Sequence, residues 1–533
     1  MNMNKISIRK ALCLLALAPA ALLGACTGSF EDINTDPYAA GKDDMNNDNY
    51  IVSSILTGMQ GWVIPLDVNT HQFTDIVLGG ALGGYTADSN PGLSTRIAIF
   101  NPTNDWTRVM LIRVIPEIYT AYNKLKVNSD DEVALALASV IRVSAVHRVT
   151  DTYGPIPYSQ IGADNALTSP YDSQEQVYDR LFAELDAALE VLRAHSAESI
   201  KATSDKVYAG NLAKWVRYAN SLKLRMAMRL SYVAPEKAEA KVREALSEEA
   251  GGVITSNADN AQIPTQNNPF RVVMYDYNGG DSRISADITS YMNGYKDPRR
   301  AKYFTMSTFT GGIQNGYIGL RSGISIPTQS LLYSNMVVDY TTPLMWMNAA
   351  EVAFLKAEAA LRGWYGSTAD ARTLYEEGVR LSFEQWGLSG DCEAYLADAT
   401  SLPASYVDPL GKESNTGETG AITVKWDERG DFETNLEQII TQKWLAIFPS
   451  GFEAWCEFRR TGYPRLMPAT AEGNKSNGKV DSRMGARRMP YPQVEYTTNG
   501  ENVRQAVASY LNGGDDMATR LWWDCKQDLP QLR

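Results

Sequence analysis

The chain has few of the side chains on which metal and thiol chemistry depends. Its 533 residues include three histidines, His71, His147 and His195, and five cysteines. The histidines form no HExxH pattern, and the sequence contains neither a GxSxG elbow nor a glycine-rich loop in a strand-then-helix setting. We therefore expect no resident metal or other cofactor and no enzymatic activity of these classes.

A basic start followed by a short apolar run forms the pattern of a signal peptide. Residues 11–25 are apolar and too few for a membrane span, which needs about 20 residues. The sequence Leu-Gly-Ala-Cys that ends at Cys26 resembles a bacterial lipobox, in which the cysteine becomes the first mature residue and carries acyl chains. An ordinary signal peptide is the alternative. We predict a lipoprotein signal peptide over 1–25, a flexible tether over 26–49 and a single domain over 50–533.

The formal net charge of the chain is −12, and removal of a basic signal peptide makes the mature protein more acidic still. Acidic proteins are repelled by phosphate backbones and by anionic lipid surfaces. Nucleic acid is therefore an unexpected partner, and contact with the membrane is expected only through the lipid anchor.

Cysteine is too sparse for a disulfide framework. Three cysteines lie beyond the signal and lipidation segment: Cys392, Cys456 and Cys525. One pair is compatible with an oxidising compartment, but an odd number leaves at least one thiol free. Cys456 lies among aromatic residues on a predicted helix face, which favours a buried free thiol at that position.

Apolar residues recur every three or four positions over several long segments, which is the period of an α-helix. These segments are 51–59, 106–127, 131–147, 173–194, 213–230, 348–362 and 368–385. Ser173 and Gln176 have the spacing of a capping box. The last two segments are joined by Gly-Trp-Tyr-Gly at 363–366, the form of a helical hairpin. The pattern suggests a tetratricopeptide-like stack, although the consensus repeat residues are mostly absent.

Three segments lack a helical period: 251–342, 402–430 and 470–486. Long irregular segments on a rigid scaffold often carry binding residues. The glycine pairs at 79–80 and 83–84 predict a flexible loop beside a ligand. The sequence Asp-Thr-Tyr-Gly-Pro-Ile-Pro-Tyr at 151–158 predicts a rigid turn, because its prolines fix the backbone.

Four aromatic residues in the C-terminal third recur at helical spacing. They are Trp444, Phe448, Phe452 and Trp455. If one helix runs through them, they form a stripe that faces the core. Arg459 and Arg460 follow Glu453 and Glu457 at a spacing that predicts ion pairs on adjacent turns.

Several separated motifs in this chain resemble the SusD/RagB family of outer-membrane nutrient-binding lipoproteins. They are Phe-Glu-Asp-Ile-Asn-Thr-Asp-Pro at 30–37, the segment 151–158, Asn-Ser-Leu-Lys-Leu-Arg-Met-Ala-Met-Arg at 220–229, Gln-Lys-Trp-Leu-Ala-Ile-Phe at 442–448, Gly-Phe-Glu-Ala-Trp at 451–455, Arg-Arg-Thr-Gly-Tyr-Pro at 459–464 and Arg-Met-Pro-Tyr-Pro at 488–492. The resemblance implies a mostly α-helical, SusD-like fold in which tetratricopeptide-like hairpins support a loop-rich ligand-binding face.

The resemblance also implies a role and a location. Such a protein captures glycans, or sometimes peptides, at the surface of a Gram-negative cell and passes them to a SusC-like, TonB-dependent transporter. It is anchored by lipid in the outer membrane, with the binding face expected to point outward.

A glycan site needs aromatic faces that stack on sugar rings and polar groups that bond their hydroxyls. Two clusters in irregular segments combine these side chains, and the first lies where the family is expected to place ligand contacts. The first cluster is Tyr85, Asp88, Asn90, Asn104 and Trp106. The second cluster is Tyr275, Tyr277, Asn278, Asp281, Arg283, Tyr291 and Asn293, with Tyr317 and Tyr340 as additional candidates. Trp106 is equally compatible with a core position at the start of a helix.

Two other functions remain open on the sequence alone. An anchored glycoside hydrolase needs two carboxyl groups about 5 to 10 Å apart, and Glu453 and Glu457 meet that condition only by being one helical turn apart. A structural helical-repeat adaptor would bind no small molecule. The run Asp44, Asn46 and Asp48 imitates the start of a calcium loop, but Ile55 stands where that loop needs a glutamate.

Overall fold

Helices dominate the folded chain, as the spacing of its apolar residues predicts. The computed structural model describes residues 50–92, 96–102, 108–412 and 420–530. The chain divides into two units, Met1–Ile51 and Val52–Arg533, and only the last two residues of the first unit are described. The predicted signal peptide, Cys26 and the tether therefore lie outside the described residues.

The α-helices are numbered in chain order. They are α1 Tyr50–Gln60, α2 Val68–His71, α3 Ile115–Asn128, α4 Glu132–Tyr153, α5 Gln174–Ala194, α6 Leu212–Arg229, α7 Pro235–Ala245, α8 Pro269–Arg271, α9 Ala286–Gly294, α10 Arg300–Tyr303, α11 Ala349–Leu361, α12 Asp370–Gln385, α13 Cys392–Leu396, α14 Phe432–Ala446, α15 Gly451–Thr461, α16 Gln493–Thr498 and α17 Gly500–Tyr510. Wider π-helical turns lie at Gln72–Gly80, Met110–Val114 and Val272–Asp276.

Side-chain caps set where the long helices begin. Ser173 accepts a hydrogen bond from the Gln176 backbone, and the Gln176 side chain accepts one from the Ser173 backbone, so the predicted capping box starts α5. Asp131 accepts bonds from the backbone of Val133 and Ala134 and starts α4. The expected positions of α1, α5, α6, α11 and α12 are confirmed within two residues, whereas α3 begins later than expected, after a π-helical turn, and α4 ends later.

Consecutive helices pack against each other as hairpins. The pairs α4 and α5, α6 and α7, and α11 and α12 are in extensive contact, and α11 also packs on α14. Gly363 has a φ of 74° in the turn that joins α11 to α12, a conformation that glycine adopts without a Cβ clash. The prediction of a mostly α-helical fold built from helical hairpins is confirmed.

Helix α4 is longer than the sequence pattern predicts. Asp151, Thr152 and Tyr153 were expected in a rigid turn, but they form its last turn, and Gly154 ends the helix with a φ of 84°. The Asp151 carboxylate is buried and accepts hydrogen bonds from Tyr178 and Trp523, so protein donors replace the water that would otherwise solvate it. Among the described helices, α4 alone is long and apolar enough to cross a membrane, yet 78% of its apolar window is buried, which identifies it as a core helix.

The aromatic stripe of the C-terminal third is buried, but no single helix carries it. Helix α14 ends at Ala446 and α15 begins at Gly451, because Pro449 lacks the backbone donor that a continuous helix would need. The four stripe residues are nevertheless 1–4% exposed. The Trp444 indole donates to the Gly83 carbonyl oxygen, at 2.7 Å. The prediction of burial is confirmed, although the condition of one continuous helix is not met.

Only one of the two expected arginine partners forms ion pairs. The Arg460 guanidinium contacts Glu457 at 2.5 Å and Glu358 of α11 at 2.6 Å. Arg459 instead donates to the backbone oxygens of Asp151 and Arg487, and its guanidinium lies over the Trp455 ring. Burial of α15 on all sides directs the two arginines towards different neighbours.

The paired glycines near residue 80 are packing contacts, which corrects their interpretation as a flexible loop. Gly79 and Gly80 belong to the π-helical turn that packs on α15. A Cβ at Gly79 would lie 2.5 Å from the Phe452 backbone nitrogen, and one at Gly451 would lie 2.5 Å from the Gly80 nitrogen. The two backbones therefore approach more closely than any other residue type permits.

Within the described residues, three short two-stranded antiparallel ribbons connect distant loops. β1 (Thr86–Asp88) pairs with β5 (Ser282–Ile284), β2 (Ile156–Pro157) with β3 (Tyr171–Asp172), and β4 (Ala261–Ile263) with β6 (Leu344–Met347). The three cysteines of the folded part are free thiols. Cys456 is buried, as predicted.

Candidate ligand-binding face

The two clusters predicted from separate parts of the sequence meet at the β1–β5 ribbon. Ala87 lies opposite Arg283, and Asp88 lies opposite Ser282. One residue further, the Ser89 backbone nitrogen donates to the Asp281 carbonyl oxygen at 2.9 Å. The ribbon and the loops that leave it, residues 85–92 and 275–283, are named the ribbon face here.

Asp281 organises the outer end of the ribbon face. Its carboxylate is 4% exposed and accepts hydrogen bonds from three side-chain amides. The donors are Gln72 at 3.0 Å, Asn90 at 2.8 Å and Asn278 at 2.8 Å. Because Asn90 and Asn278 remain partly or fully exposed, they present amide groups to solvent at a fixed position.

Arg283 holds the loop from within and does not offer its guanidinium to a ligand. The side chain is 5% exposed and donates to the carbonyl oxygens of Met274 at 3.1 Å and Gly279 at 3.0 Å, with a further bond to Leu331. Burial lowers the pKa of the guanidinium from its usual value. Arg283 is therefore a positioning residue, which corrects its expected role as a direct ligand contact.

Asp88 is buried without a partner at the same ribbon. It is 5% exposed, and neither carboxylate oxygen makes a hydrogen bond within the described residues. Burial raises the pKa of Asp88 to about 6, and the nearby Asp281 adds to that shift while Arg96 opposes it. The carboxyl group is thus poised to be neutral under mildly acidic conditions.

Tyr85 packs in the core, which corrects its assignment as a ligand-stacking residue. It is fully buried, and its hydroxyl donates to the Trp444 carbonyl oxygen. Its ring lies 5.5 Å from the Trp444 ring and 5.3 Å from the Phe448 ring, between centroids. Its position in a glycine-rich segment suggested a loop, but the π-helical turn before it directs the ring inward.

The accessible aromatic side chains of the second cluster lie along one edge of the ribbon face. The Arg271 guanidinium lies 4.4 Å from the Tyr275 ring centroid and 4.7 Å from that of Tyr340, which is 41% exposed. Tyr277 is partly exposed, and its hydroxyl reaches the Asn69 carboxamide at 3.4 Å. These rings offer the apolar faces that a sugar ring can cover.

The remaining predicted residues separate into two groups. Asn293 lies at the end of α9, where it donates to the Tyr317 carbonyl oxygen at 2.7 Å and accepts from Arg300. This corrects its assignment to the ligand cluster, because both ends of its side chain support the fold. Asn104 and Trp106 lie in 103–107, outside the described residues.

A cleft of about 290 Å³ lies beside the ribbon face and was not predicted. Tyr333 and Tyr406 line it, and the Tyr333 hydroxyl donates to Asp408 at 2.6 Å. Lys412 and Glu472 lie at its edge. A small apolar cluster joins Ala87 of β1 to Tyr333, so the ribbon and the cleft share a support. The only signal in the sequence was the presence of tyrosines in segments without helical period.

A larger cavity of about 500 Å³ is lined in part by Met336. Its walls come from the irregular segment before β4, from β6, from the end of α12 and from the turn between α14 and α15. Trp386, Phe270 and several carboxamides line it. Of the predicted cluster residues that the structure describes, none lines this cavity.

The histidines offer no metal site. His71 and His147 are buried in different environments, and His195 lies on the surface between Glu132 and Glu198. Burial lowers the pKa of His147 to about 3. Over the described ranges, no group of three or more histidine, cysteine, aspartate or glutamate side chains is arranged to hold a metal ion.

Comparison with known proteins gives consistent matches. The sequence profile of the family described as SusD-like, Susd and RagB outer membrane lipoprotein, matches residues 32–524. A SusD homologue from Bacteroides uniformis is 50% identical, with 90% of this chain and 100% of that one covered and a TM-score of 0.86. A homologue from Bacteroides thetaiotaomicron is 42% identical, with 90% and 99% covered and a TM-score of 0.83.

A third solved structure is described as a chitin-binding SusD homologue from Flavobacterium johnsoniae. It is 35% identical to this chain, with 89% of this chain and 99% of that one covered and a TM-score of 0.83. A search of curated proteins returned no match.

Proposed function

The chain belongs to the SusD-like family of outer membrane lipoproteins, and from this premise we propose that it captures nutrient glycans at the cell surface and delivers them to a SusC-like, TonB-dependent transporter. The mechanism is binding followed by transfer, without a chemical step. The described residues present partly exposed aromatic rings and fixed amides on one face, a combination suited to sugar rings and their hydroxyls.

The observation that carries this proposal is the pairing of β1 with β5. It places Asn90, Asn278 and Tyr277 on one face, although they come from two distant parts of the chain. Amides held by Asp281 lose less conformational freedom on binding than mobile side chains would, which favours recognition of a hydroxyl-rich ligand. The relative described as chitin-binding supports a carbohydrate as the ligand class.

The surroundings of Glu453 and Glu457 argue against the alternative of an anchored glycoside hydrolase. Glu453 and Glu457 are 4% and 2% exposed, and both are paired with buried cations, Arg229 and Lys443. Carboxylates held in this way do not reach a substrate. We propose a binding protein that is not an enzyme, a role that is tested by the absence of turnover on every glycan that binds.

A binding panel tests the proposed ligand class. The soluble chain from residue 27 onward is run in affinity electrophoresis against host and plant polysaccharides and is titrated with basic peptides. We expect retardation by at least one polysaccharide. Binding confined to peptides would replace glycan with peptide as the transported nutrient, since the acidic chain attracts cations. The absence of binding to every glycan in the panel would contradict the proposal.

Lipidation and partnership are tested in cells. We propose that Cys26 is acylated and holds the protein in the outer membrane with the ribbon face outward. Cys26→Ala should move the protein from the membrane to the soluble fraction and abolish fatty-acid labelling, because one buried acyl chain contributes about 0.8 kcal/mol per methylene. Copurification of a TonB-dependent barrel with the tagged wild-type protein is the expected sign of the transporter complex.

A further inference from the structure

The cavity of about 500 Å³ is separate from the ribbon face but adjoins it. Met336 lines the cavity, and its carbonyl oxygen accepts a hydrogen bond from the Tyr275 hydroxyl. A cavity of this volume lies within the range of roughly 300 to 1,000 Å³ that is typical of small-molecule sites. It therefore has room for a short segment of a bound chain.

One wall of the cavity is apolar. Trp386 is partly exposed, at the end of α12, and its ring makes an edge contact with Tyr303. Val337 is 47% exposed, and Met345 of β6 is partly exposed. The Trp386 indole can stack on the face of a ligand ring, and the aliphatic side chains beside it can contact a methyl group of the same ligand.

The polar groups of the cavity are mostly carboxamides, and two of them have unused bonding capacity. The Gln262 side chain and the Gln385 amide nitrogen make no hydrogen bond within the part of the chain that the structure describes. The Gln385 oxygen is held by Asn348 at 2.9 Å, which directs its NH₂ group. A carboxamide both donates and accepts, and it therefore matches another amide as well as a hydroxyl.

The charges of the cavity disfavour an anionic ligand. No lysine, arginine or histidine is among its lining residues in the described ranges, and the acidic ones are Asp75 and Glu384. Asp75 is neutralised by Arg148 at 2.5 Å. Glu384 is exposed and accepts a hydrogen bond from Asn257. The ligand that fits is neutral, with an apolar face, a methyl-sized apolar group and an amide.

We propose that this cavity is a subsite for N-acetylated hexosamine residues of a glycan. The pyranose face would lie on Trp386, the acetamido methyl group against Val337 and Met345, and the acetamido N–H and C=O within reach of Gln262 and Gln385. This inference rests on the proposed function, since it specifies which sugars a glycan receptor with this cavity selects. A plain hexose has no group for the aliphatic wall and binds more weakly.

Two trisaccharides with the same β-1,4-linked backbone test the proposal. Tri-N-acetylchitotriose, abbreviated to chitotriose, carries the acetamido groups, and cellotriose has hydroxyls in their place. Each is titrated by calorimetry into the soluble chain from residue 27 onward, and saturation-transfer NMR reads which ligand protons contact the protein. We expect chitotriose to bind at least about tenfold more tightly than cellotriose, with the acetyl methyl protons receiving the strongest saturation.

Variants locate the site. Trp386→Ala and the surface substitution Gln262→Ala should each weaken chitotriose binding, by about tenfold or more for the first and about threefold for the second. Gln262 is exposed, so its variant is expected to fold normally. Tyr510→Ala removes an exposed aromatic side chain of α17 that belongs neither to the cavity lining nor to the ribbon face, so it is the matched control and should leave this affinity within about twofold.

The outcomes separate this inference from the function on which it rests. If a polysaccharide binds and depends on Tyr277, while chitotriose affinity is unchanged by Trp386→Ala and Gln262→Ala, the cavity assignment is overturned and the receptor function stands. If N-acetyl-Ala-Leu-Ala-amide binds in a Trp386-dependent manner and chitotriose does not, the cavity is a peptide site. If no glycan binds at all, both proposals fail.

Discussion

Ala87 on β1 lies directly opposite Arg283 on β5, and this pair connects the two segments that form the ribbon face. Arg283 then donates to carbonyl oxygens of the loops on either side, while Ala87 packs towards the neighbouring cleft. Ala87 and the buried Arg283 side chain thus fix the shape of the ribbon face, although its solvent-exposed side chains belong to other residues. Binding residues are positioned here by side chains that do not contact the ligand.

Removal of the Arg283 guanidinium should loosen the ribbon face before it unfolds the protein. Arg283→Met leaves the carbonyl oxygens of Met274, Gly279 and Leu331 without their donor, which is expected to cost about 1–3 kcal/mol. We expect the polysaccharide affinity to fall at least about tenfold, with a cooperative thermal transition retained. Affinity electrophoresis and calorimetry measure the two effects. An unchanged affinity would show that the loops hold their shape without Arg283.

The buried Asp88 predicts an unusual dependence of stability on pH. Its folded pKa, about 6, is raised above the unfolded value, so the folded state binds more protons between about pH 4 and 6 and this group disfavours folding as the pH rises. Asp88→Asn should therefore stabilise the protein at pH 7.5, on the order of 2 kcal/mol, since one pKa unit corresponds to about 1.4 kcal/mol. At pH 4 the gain should vanish. Urea unfolding at both pH values checks this, and equal gains at both would contradict it.

Two glycine-to-alanine substitutions should act in opposite directions. Gly79→Ala places a Cβ 2.5 Å from the Phe452 backbone nitrogen and should destabilise the fold by about 1–3 kcal/mol or more. Gly58 lies within α1 with open space around it, so Gly58→Ala should stabilise by about 0.5–1 kcal/mol through helix propensity. Denaturant unfolding of the two variants measures both. A neutral Gly79→Ala would mean that the two backbones can separate.

The buried ion pairs between helices predict a large cost for removing one partner. Arg460 contacts Glu358 and Glu457, and all three are at most 2% exposed. Arg460→Met should destabilise by about 3–5 kcal/mol, because it leaves buried carboxylates without their cation. Adding Glu358→Gln should recover part of that loss. The exposed pair Arg243 and Glu239 is the control, and Arg243→Met should change stability by less than about 1 kcal/mol.

The same cluster has the opposite pH dependence to Asp88. Burial alone would raise the pKa of Glu358, but Arg460 and Arg362 outweigh it and hold the pKa below its usual value. The stabilisation is therefore present above the unfolded pKa and is lost as the pH falls towards the folded one. We expect Glu358→Gln to lower the free energy of unfolding by less at pH 3 than at pH 7 in the same unfolding assay. A cost independent of pH would show that packing dominates over charge.

The helical scaffold could be predicted because its signals are local. The capping box at Ser173 and the three-to-four spacing of α5, α6, α11 and α12 are present in short windows of sequence. The break between α14 and α15 at Pro449 does not follow from the aromatic spacing, because that spacing on both sides of the proline fits one helix. The extension of α4 through Asp151 depends on partners far away in the chain, including Trp523.

The ligand-binding face was harder to predict, since residue type does not reveal whether a side chain points into the core or towards solvent. Tyr85 and Tyr277 look equivalent in sequence, yet one is fully buried and the other partly exposed. Arg283 was identified as important, but its contacts with backbone oxygens follow from loop conformation. The cavity beside Trp386 combines residues from distant parts of the chain that no local pattern connects.

The most direct test of the receptor function is a calorimetric titration of the polysaccharide that binds best against the wild-type chain, Tyr277→Ala and Trp106→Ala. We predict measurable heat with the wild type, at least about tenfold weaker binding with one of the two variants, and no release of reducing sugar during the titration. Equal affinity of all three proteins would mean that neither predicted aromatic residue contacts the glycan, and the binding site would then lie elsewhere. Release of reducing sugar, or no heat with any glycan, would contradict the proposed function itself.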